Sequence, residues 1–385
     1  MVALAVLWPL FQVQYFGGFD GQGRIKILIS ILAIIVNGQR LFSVPKVMHI
    51  RLLWVIFCII NAYFKGFYFE ATSFPNWAHH RLFYPYIIML LGYQVITYDV
   101  KKSIWFLFGV YFIYTAVGAL NLTFMQSYDI GDRLGNDLGN AYFNTIVLLM
   151  TYSALMFTNK RLSLFTLLLI SLSLAFLLVI SGERKGLIAV FIIIIGSYLG
   201  LSGRGSAHSV VRYLIIFGIA YFAVEYVVQS TTFGVRMENS IENSEFQGNW
   251  FLTLMGDRGI QYYEGWQFFL KNPMSGIGIR NFAEMNSFWF GGAGVLHSEY
   301  MVQLAECGII GTVMFIIFYY GLLNRVFNIE WARENHAEAT IFKATMVAIM
   351  AINLVSWSYD NENIFLMYGV IYAYCGLSKN DKRQA

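Results

Sequence analysis

Charged residues are scarce in this sequence. Asp, Glu, Lys and Arg make up 12% of the 385 residues, which is about half the share in a typical soluble protein. Hydrophobic residues make up 58%. The composition therefore excludes a soluble globular protein and indicates an integral membrane protein.

Cysteine is nearly absent as well. The three cysteines are Cys58, Cys307 and Cys375; each falls inside a hydrophobic run, and no two form a C-x-x-C motif. We therefore expect no disulfide and no cysteine-based metal or redox site.

The first hydrophobic run also lacks the basic start and small-residue cleavage site of a secretory signal, so we interpret it as a retained helix.

Long hydrophobic runs, in contrast, follow one another along the chain. They lie at residues 2–17, 27–37, 52–69, 82–96, 103–122, 141–157, 162–181, 186–202, 213–228, 303–323, 341–358 and 363–378. Several are shorter than the roughly 20 residues that a helix needs to cross the hydrocarbon, so interfacial Tyr, Trp and amide side chains must complete them. The pattern predicts an all-α fold, a polytopic transmembrane helix bundle of about 12 helices.

Basic residues in the connecting segments indicate how these helices are oriented. If the N-terminus is cytoplasmic, fifteen of the 26 lysines and arginines lie in inner segments, as the positive-inside rule requires. They are Arg40, Lys46, Arg51, Lys101, Lys102, Lys160, Arg161, Arg204, Arg212, Arg325, Arg333, Lys343, Lys379, Lys382 and Arg383. The net charge of +4 is then a topology signal, and we expect no nucleic acid partner.

One predicted outer segment is much longer than the others. Residues 229–300 separate a first block of nine helices, residues 1–228, from a last block of three helices and a short cytoplasmic tail, residues 301–385. Aromatic stretches such as YYEGWQFFL at 262–270 predict that this periplasmic loop is partly helical and lies along the membrane interface. A loop of this length in a compact bundle is usually functional.

Two cations occupy a tight turn that is also predicted to be outer. Arg184 and Lys185 lie in VISGERKGLIAV, between two apolar helices, on the side where positive charge is normally avoided. One interpretation is that both side chains reach the lipid headgroups, with Glu183 as a partner. The other is a phosphate pocket, because arginine offers a two-pronged donor and lysine a point charge.

The long loop carries further candidates around a turn-forming sequence. The run from Pro273 to Gly278 contains glycines that permit unusual backbone conformations, so we expect a rigid turn that aims Arg280 and Asn281 at the bundle. Arg258 lies upstream in MGDRGIQYYEGW. It either binds an anion or pairs with its neighbour Asp257, and an exposed pair of that kind contributes little stability.

A histidine stands where the long loop meets the tenth span, in LHSEYMVQLAECGIIGT at 296–312. Spacings of three and four put His297, Met301, Leu304, Gly308 and Gly311 on one face of a helix. The glycines are expected to let a neighbouring helix approach and so hold the imidazole at the membrane surface. The alternative is a structural histidine.

The last predicted outer turn, YDNEN at 359–363, carries Asp360 and Glu362. Two acids rarely make a metal site alone. We therefore interpret this turn as a solvated cap between two helices, with a metal site as the alternative.

These motifs together resemble a known family. His297 and Ser298, then nine residues, Gly308, two residues and Gly311, resemble the signature of the bacterial O-antigen ligase and polymerase family. SGERKG at 181–186 is similar to its Ser-Gly-x-Arg-x-Gly turn. DRGIQYYEGWQFFLKNPMSGIGIRNF is similar to its outer-loop pattern of an arginine, a Trp-containing helix and a Pro-x-x-Gly-x-Gly turn. RLGNDLGNAYFN at 133–144 is similar to a looser family motif, whereas the first hundred residues match in hydropathy alone.

The resemblance implies a glycosyltransferase of the bacterial inner membrane with its active site facing the periplasm. Such enzymes take a glycan from undecaprenyl diphosphate in the lipid bilayer and pass it to a glycan or lipid-linked glycan acceptor. His297 matches the catalytic histidine, and Arg184 and Arg258 match two arginines assigned to the donor diphosphate. The further substrate-binding candidates are Lys185, Arg133, Arg280, Asn281 and Glu299; Lys185 departs from the small residue often found at its position.

The chemistry expected from this resemblance is metal-independent, inverting transfer without a cofactor. Guanidinium groups stabilise the negative charge that develops on the diphosphate, and a neutral imidazole accepts the proton of the attacking hydroxyl. The motifs do not separate a polymerase from a ligase that hands a finished chain to lipid A core. The short chain, and a loop that is aromatic and not basic, favour a polymerase.

A transporter or flippase of the same lipid-linked glycan is the alternative from a different class. Its buried charges should lie near the middle of the membrane, on discontinuous helices that are often arranged in repeated halves. No repeat is visible in this sequence, and the charges gather at the predicted outer edge. Both features favour the enzyme.

Overall fold

The computed structural model describes residues 18–66, 74–124, 141–158, 166–167, 169–174, 184–202, 257–290, 294–356 and 358–377. Every long regular element in these ranges is helical, and they contain no β-strand. The predicted all-α class is therefore confirmed. The predicted spans 2–17 and 213–228 lie outside the described residues, and the number of about 12 spans remains a prediction.

In the N-terminal half, the helices with described bounds are α1 (Gly18–Phe42), α2 (Lys46–Lys65), α3 (Phe74–Ala78), a π-helical turn (His79–Phe83), α4 (Tyr84–Tyr98), α5 (Val100–Phe124), α6 (Ala141–Thr158) and α7 (Arg184–Ser202). Those of the C-terminal half are α8 (Asp257–Lys271), α9 (Phe282–Phe290), α10 (Glu299–Val326), α11 (Ile329–Glu334), α12 (His336–Val355) and α13 (Glu362–Tyr374).

Three stretches of the described chain are long and apolar enough to cross a membrane. They are Lys46–Lys65, Glu299–Glu334 and His336–Val355. Shorter apolar stretches occur at Lys26–Val36, Thr145–Met156 and Gly186–Ser197, and the first of these matches the predicted run 27–37. The chain is therefore a helical membrane protein by composition and by helix length.

Glycines allow close helix crossings. A Cβ on Gly369 of α13 would come within 2.0 Å of the Met89 carbonyl oxygen of α4. A Cβ on Gly196 of α7 would come within 2.2 Å of Ala344 on α12. Small residues at such crossings let helix backbones approach closely, which is how helices associate in lipid.

Helix α10 is broken at Gly308, where φ is 63° and ψ is −165°. The rings of Tyr300 and Phe315 lie 6.2 Å apart between centroids, whereas fifteen residues of straight helix would separate them by about 22 Å. Residues 299–307 and 309–326 therefore form a helical hairpin. The prediction of one continuous span over 303–323 is wrong.

The two arms of this hairpin run in opposite directions along α2. In the first arm, Trp54 Nε1 donates to Gln303 Oε1 at 2.8 Å, and four residues further on Cys58 Sγ lies 3.9 Å from Cys307 Sγ. In the second arm, Gly311 lies against Phe57 and Gly321 lies against Val47. The first arm thus runs parallel to α2 and the second arm antiparallel to it.

A turn from the long loop fills the break in α10. Ile277 N and Gly278 N donate to the carbonyls of Ala305 and Glu306 at 3.0 and 2.9 Å. On the other side of the break, Ile309 N and Ile310 N donate to the carbonyls of Pro273 and Met274 at 2.7 and 3.1 Å. These four bonds satisfy backbone groups that a broken helix would otherwise leave without partners.

The break changes the expected role of the glycines. At Gly311 a neighbouring helix does approach, as predicted, because Phe57 of α2 lies against it. At Gly308 the neighbour is the turn 273–278, and a Cβ there would come within 2.5 Å of the Gly276 nitrogen. The prediction that a helix packs at Gly308 is therefore wrong.

Within the long segment 229–300, the structure describes residues 257–290 and 294–300, which include α8 and α9. Asn286 Nδ2 donates to Glu264 Oε2 at 2.9 Å and joins the two helices. Burial raises the pKa of the Glu264 carboxyl, and the hydrogen bond from Asn286 opposes this shift. The segment is partly helical, as predicted.

Candidate functional site

The first arm of α10 organises the candidate site through its N-terminal residues. Ser298 is the N-cap, and its hydroxyl accepts from Met301 N at 3.4 Å. Glu299 is completely buried, and its Oε2 accepts from the backbone nitrogens of Ser358 and Tyr359 at 2.6 and 2.9 Å. Its Oε1 accepts from Gln303 at 2.9 Å. Glu299 therefore holds the turn between α12 and α13 against α10.

His297 is half-buried and lies directly before this N-cap. Ser298 Oγ donates to the Asn353 carbonyl at 3.4 Å, and Glu299 N donates to the Ser356 carbonyl at 3.1 Å. The backbone that carries His297 is therefore held beside the C-terminal end of α12. Because α10 begins at Glu299 and breaks at Gly308, the prediction that His297 shares a helix face with the glycines is wrong.

Arg258 is the second residue of α8, and its side chain lies outside what the structure describes. One turn further on, the Tyr262 hydroxyl donates to the Leu354 carbonyl at the end of α12. A Cβ on Gly265, one turn beyond Tyr262, would lie 3.0 Å from Leu296 and 3.1 Å from Met301. The N-terminal end of α8 thus meets the same end of α12 as His297.

Arg184 and Lys185 are the first two residues of α7. Their side chains are not among the described ones, and Arg133 lies outside the described residues altogether. The contact between Gly196 and Ala344 places α7 along α12. The substrate-binding roles of Lys185 and Arg133 remain predictions.

Arg280 adopts a backbone conformation that side-chain-bearing residues rarely take, with φ of 66°. Its backbone nitrogen donates to Glu306 Oε2 at 2.8 Å, and the same carboxylate accepts from Phe282 N at 3.2 Å. The phenolic oxygen of Tyr359, followed by the carboxylates of Asp360 and Glu306, raises the pKa of the Arg280 guanidinium, although burial opposes the shift. Arg280 therefore faces the turn between α12 and α13.

Asn281 is fully buried. Its amide nitrogen donates to the carbonyls of Gly66 and Ile277 at 2.8 and 3.0 Å. In this arrangement the side chain joins the turn 272–281 to the end of α2.

The turn between α12 and α13 carries two acids that the sequence suggested were solvated. Asp360 and Glu362 are 6% and 8% exposed, so that interpretation is wrong. Arg81 Nη1 donates to Asp360 Oδ2 at 3.3 Å, and Lys26 Nζ donates to Glu362 Oε1 at 3.2 Å. Each buried carboxylate therefore has a cationic partner from the N-terminal half of the chain.

His80 lies beside the second of these pairs. Its Nδ1 is 3.4 Å from Lys26 Nζ. Burial, and next the positive charge of Lys26, lower the pKa of His80 well below its usual range. The imidazole is therefore neutral and accepts a hydrogen bond from the ammonium group.

The predicted position of Arg51 is also wrong. It was assigned to an inner connecting segment, but it lies in α2 and is 3% exposed. Its Nη2 donates to the Tyr359 carbonyl, and its guanidinium carbon lies 3.9 Å from the Trp54 ring centroid. Arg51 is thus an interior support for the turn between α12 and α13, and not a surface cation.

Among the described residues, no group of three or more His, Cys, Asp and Glu side chains is arranged to hold a metal ion. Arg81, Asp360 and Arg280 lie around the turn that Glu299 and Arg51 hold, and His297 lies two residues before Glu299. The sequence signal for Asp360 was its place in the predicted outer turn YDNEN, and the signal for Arg81 was a charge directly before the hydrophobic run 82–96. Neither signal says which charges pair.

Fold and site together indicate a helical membrane protein in which charged side chains gather around the turn between α12 and α13, with His80 and His297 nearby. Residues 145–316 match the family model described as O-antigen ligase. This match confirms, over that part of the chain, the resemblance found in the sequence. No curated protein matches the chain.

The matched range includes Arg184, Arg258 and His297. It ends before the turn between α12 and α13 and begins after Lys26 and Arg81. The ion pairs around Asp360 and Glu362 are therefore contributed by parts of this chain that the family model does not cover.

Proposed function

We propose that this chain is a bacterial inner-membrane glycosyltransferase that moves a glycan from undecaprenyl diphosphate to an acceptor hydroxyl, with its site facing the periplasm. One observation carries the proposal: two family motifs that are 39 residues apart in sequence meet at the C-terminal end of α12. Ser298, next to His297, contacts Asn353, and Tyr262, one turn after Arg258, contacts Leu354.

Helix α7 is the third contributor. With α7 antiparallel to α12, as the topology expected from the basic residues requires, Gly196 opposite Ala344 brings Arg184 level with about residue 356. This is the end of α12 at which the other two motifs meet. The arrangement supports one site for Arg184, Arg258 and His297.

The chemistry of this site follows from charge. Breaking the bond between a sugar and a diphosphate develops negative charge on the leaving oxygen, and fixed guanidinium groups of Arg184 and Arg258 stabilise that charge. Neutral His297 accepts the proton of the acceptor hydroxyl as the hydroxyl attacks. Attack from the side opposite the diphosphate inverts the anomeric carbon, and none of these steps requires a metal.

A polymerase fits this chain better than a ligase to lipid A core. A core acceptor is rich in phosphate and calls for a basic docking surface. The described part of the long segment instead exposes Tyr263, Trp266, Phe288 and Trp289. Aromatic surfaces suit sugar rings and lipid, so the favoured acceptor is the next lipid-linked glycan.

A transporter of the same lipid-linked glycan is the second candidate, because discontinuous helices are typical of transporters and α10 is discontinuous. The turn 273–278 closes that break with four backbone hydrogen bonds. The carbonyls of Ala305 and Glu306 and the amides of Ile309 and Ile310 are therefore already paired within the protein and are not available to a substrate. The enzyme is therefore favoured.

Reconstitution separates these functions. The purified protein is placed in nanodiscs with an undecaprenyl-diphosphate-linked oligosaccharide, first alone and then with lipid A core. A polymerase gives a ladder of longer lipid-linked glycans from the donor alone, and a ligase gives a product when core is present. Movement of donor across proteoliposomes without any new glycosidic bond would contradict the proposal and support the transporter.

A further inference from the structure

Helix α8 exposes apolar side chains where a helix facing water would expose polar ones. Tyr263, Trp266 and Leu270 follow one another at spacings of three and four and are 60%, 45% and 54% exposed. Met274, in the turn that follows, is 60% exposed. Since the polar face of an amphipathic helix normally meets water, this stripe fits apolar surroundings.

Helix α9 adds three consecutive aromatic residues to this surface. Phe288, Trp289 and Phe290 are 81%, 58% and 41% exposed. The ammonium of Lys271 lies 4.9 Å from the Trp289 ring centroid and 5.6 Å from that of Phe290. Exposed aromatic rings next to a lysine are typical of the boundary between lipid and water. We call α8, the turn 272–281 and α9 the platform.

Three polar contacts fasten the platform to the end of α2. Lys65 Nζ donates to Asn272 Oδ1 at 3.4 Å, and Asn61 Nδ2 donates to the Ser275 carbonyl at 2.7 Å. The amide of Asn281 bonds the Gly66 carbonyl at 2.8 Å. Because α2 is long enough to cross a membrane, the turn 272–281 of the platform lies at the depth where this helix leaves the hydrocarbon.

The apolar surface of the platform continues that of the membrane-crossing helices. Helix α2 exposes Leu53, Ile56, Ile60, Tyr63 and Phe64, and the second arm of α10 exposes Ile309, Ile310, Val313, Ile316, Ile317 and Tyr320. The Met274 carbonyl accepts from Ile310 N at 3.1 Å. The exposed Met274 side chain therefore lies next to the exposed apolar residues of the second arm of α10. The two surfaces share one apolar environment.

We infer that the platform is inserted into the outer leaflet and that its apolar stripe binds the phospholipid surface. Lipid is the occupant because the stripe is continuous with helix surfaces that face lipid, and because Lys271 offers a cation to the phosphate of a headgroup. A substrate carried on a polyprenyl chain then reaches the His297 region within the plane of the membrane. This consequence rests on the proposed function, whereas the insertion does not.

Site-specific fluorescence tests the insertion in the full-length protein. The native cysteines are buried, so an environment-sensitive fluorophore on Phe288→Cys or Trp266→Cys reports one position. Ile316→Cys, in the stripe of α10, is the control for lipid. Lys101→Cys, exposed at the start of α5, is the control for water. Each labelled protein is placed in nanodiscs with and without phospholipids brominated on the acyl chains.

The platform labels are expected to show blue-shifted emission and to lose intensity in brominated lipid, as the Ile316→Cys label does and the Lys101→Cys label does not. Emission at Phe288→Cys and Trp266→Cys that matches Lys101→Cys would overturn the inference. Energy transfer between labels on two copies, without bromine quenching, would instead make the stripe a contact between protein copies and also overturn it. Normal quenching in a protein that transfers no glycan would count against the proposed function alone.

Discussion

Gly276 and Gly308 lie against each other across the break in α10. A Cβ on Gly308 would come within 2.5 Å of the Gly276 nitrogen, and a Cβ on Gly276 would come within 2.4 Å of the Glu306 carbonyl carbon. Both glycines have positive φ, 67° at Gly276 and 63° at Gly308. The Pro-x-x-Gly-x-Gly turn and the Gly-x-x-Gly stretch of the sequence are therefore two halves of one contact, which sets the first arm of α10 in place.

Alanine at either glycine is expected to destabilise this contact. Positive φ costs a side-chain-bearing residue about 1–3 kcal/mol, and the close backbone atoms add a steric penalty that a small shift cannot relieve. Gly308→Ala and Gly276→Ala should lower the temperature at which the detergent-purified protein loses its monodisperse elution peak. Gly109→Ala, where nothing lies within 4 Å of the new Cβ, is the matched control. Unchanged stability of Gly308→Ala would show that the break is not held as described.

The pair between Lys26 and Glu362 joins α1 to α13 in the interior. Lys26→Met should destabilise the protein by about 3–5 kcal/mol, because it leaves a buried carboxylate without its cation. The double variant Lys26→Met with Glu362→Met should recover most of that loss, since an apolar pair of similar volume needs no partner. Thermal unfolding of the two variants measures the difference. A double variant no more stable than the single one would argue against direct pairing.

His80 gives the protein a sensitivity to acid. Because its pKa in the folded protein lies below the unfolded value of about 6.5, the unfolded chain binds the proton first. Stability should therefore fall as the pH drops through about 6.5, and His80→Asn should remove that part of the slope. Thermal unfolding between about pH 7.5 and pH 5 measures it. Identical slopes for the two proteins would mean that His80 is not held neutral beside Lys26.

Arg184 and Arg258 are expected to act on the donor diphosphate. Alanine at either position should lower the transfer rate by about 100-fold or more, the usual loss for one preorganised donor at a developing charge. Expression and elution should stay normal. Arg184→Lys separates two roles: full activity would mean that a point charge suffices, and activity close to that of Arg184→Ala would mean that the two-pronged guanidinium is required. Rates are measured with the lipid-linked oligosaccharide.

Hydropathy was sufficient to predict the helical class and the position of several helices. The runs 52–69 and 341–358 correspond to much of α2 and α12, because the length of an apolar run is a property of one element alone. The break in α10 could not be predicted in this way. Its sequence is apolar on both sides, and the partner that stabilises the break lies about thirty residues upstream, in the turn 273–278.

The candidate site, like the fold, could be predicted from the sequence only in part. His297, Arg184 and Arg258 could be singled out as candidates because each sits in a recognisable local motif, and their roles remain predictions. Asp360 and Glu362 were taken for solvated residues because their partners, Arg81 and Lys26, are 279 and 336 positions away. Only the folded chain brings such residues together. Buried charge is therefore the feature of this protein that the linear sequence hides most completely.

Glycan transfer by His297 variants in nanodiscs, measured together with binding of the undecaprenyl-diphosphate-linked donor, tests most directly whether His297 is catalytic. We expect His297→Ala to abolish transfer while donor binding stays near normal, because Arg184 and Arg258 still hold the diphosphate. His297→Gln should also be inactive, since glutamine hydrogen-bonds the acceptor but does not take its proton. Near-normal turnover of His297→Gln would exclude general-base catalysis, and near-normal turnover of His297→Ala would contradict the central claim by making His297 a structural residue.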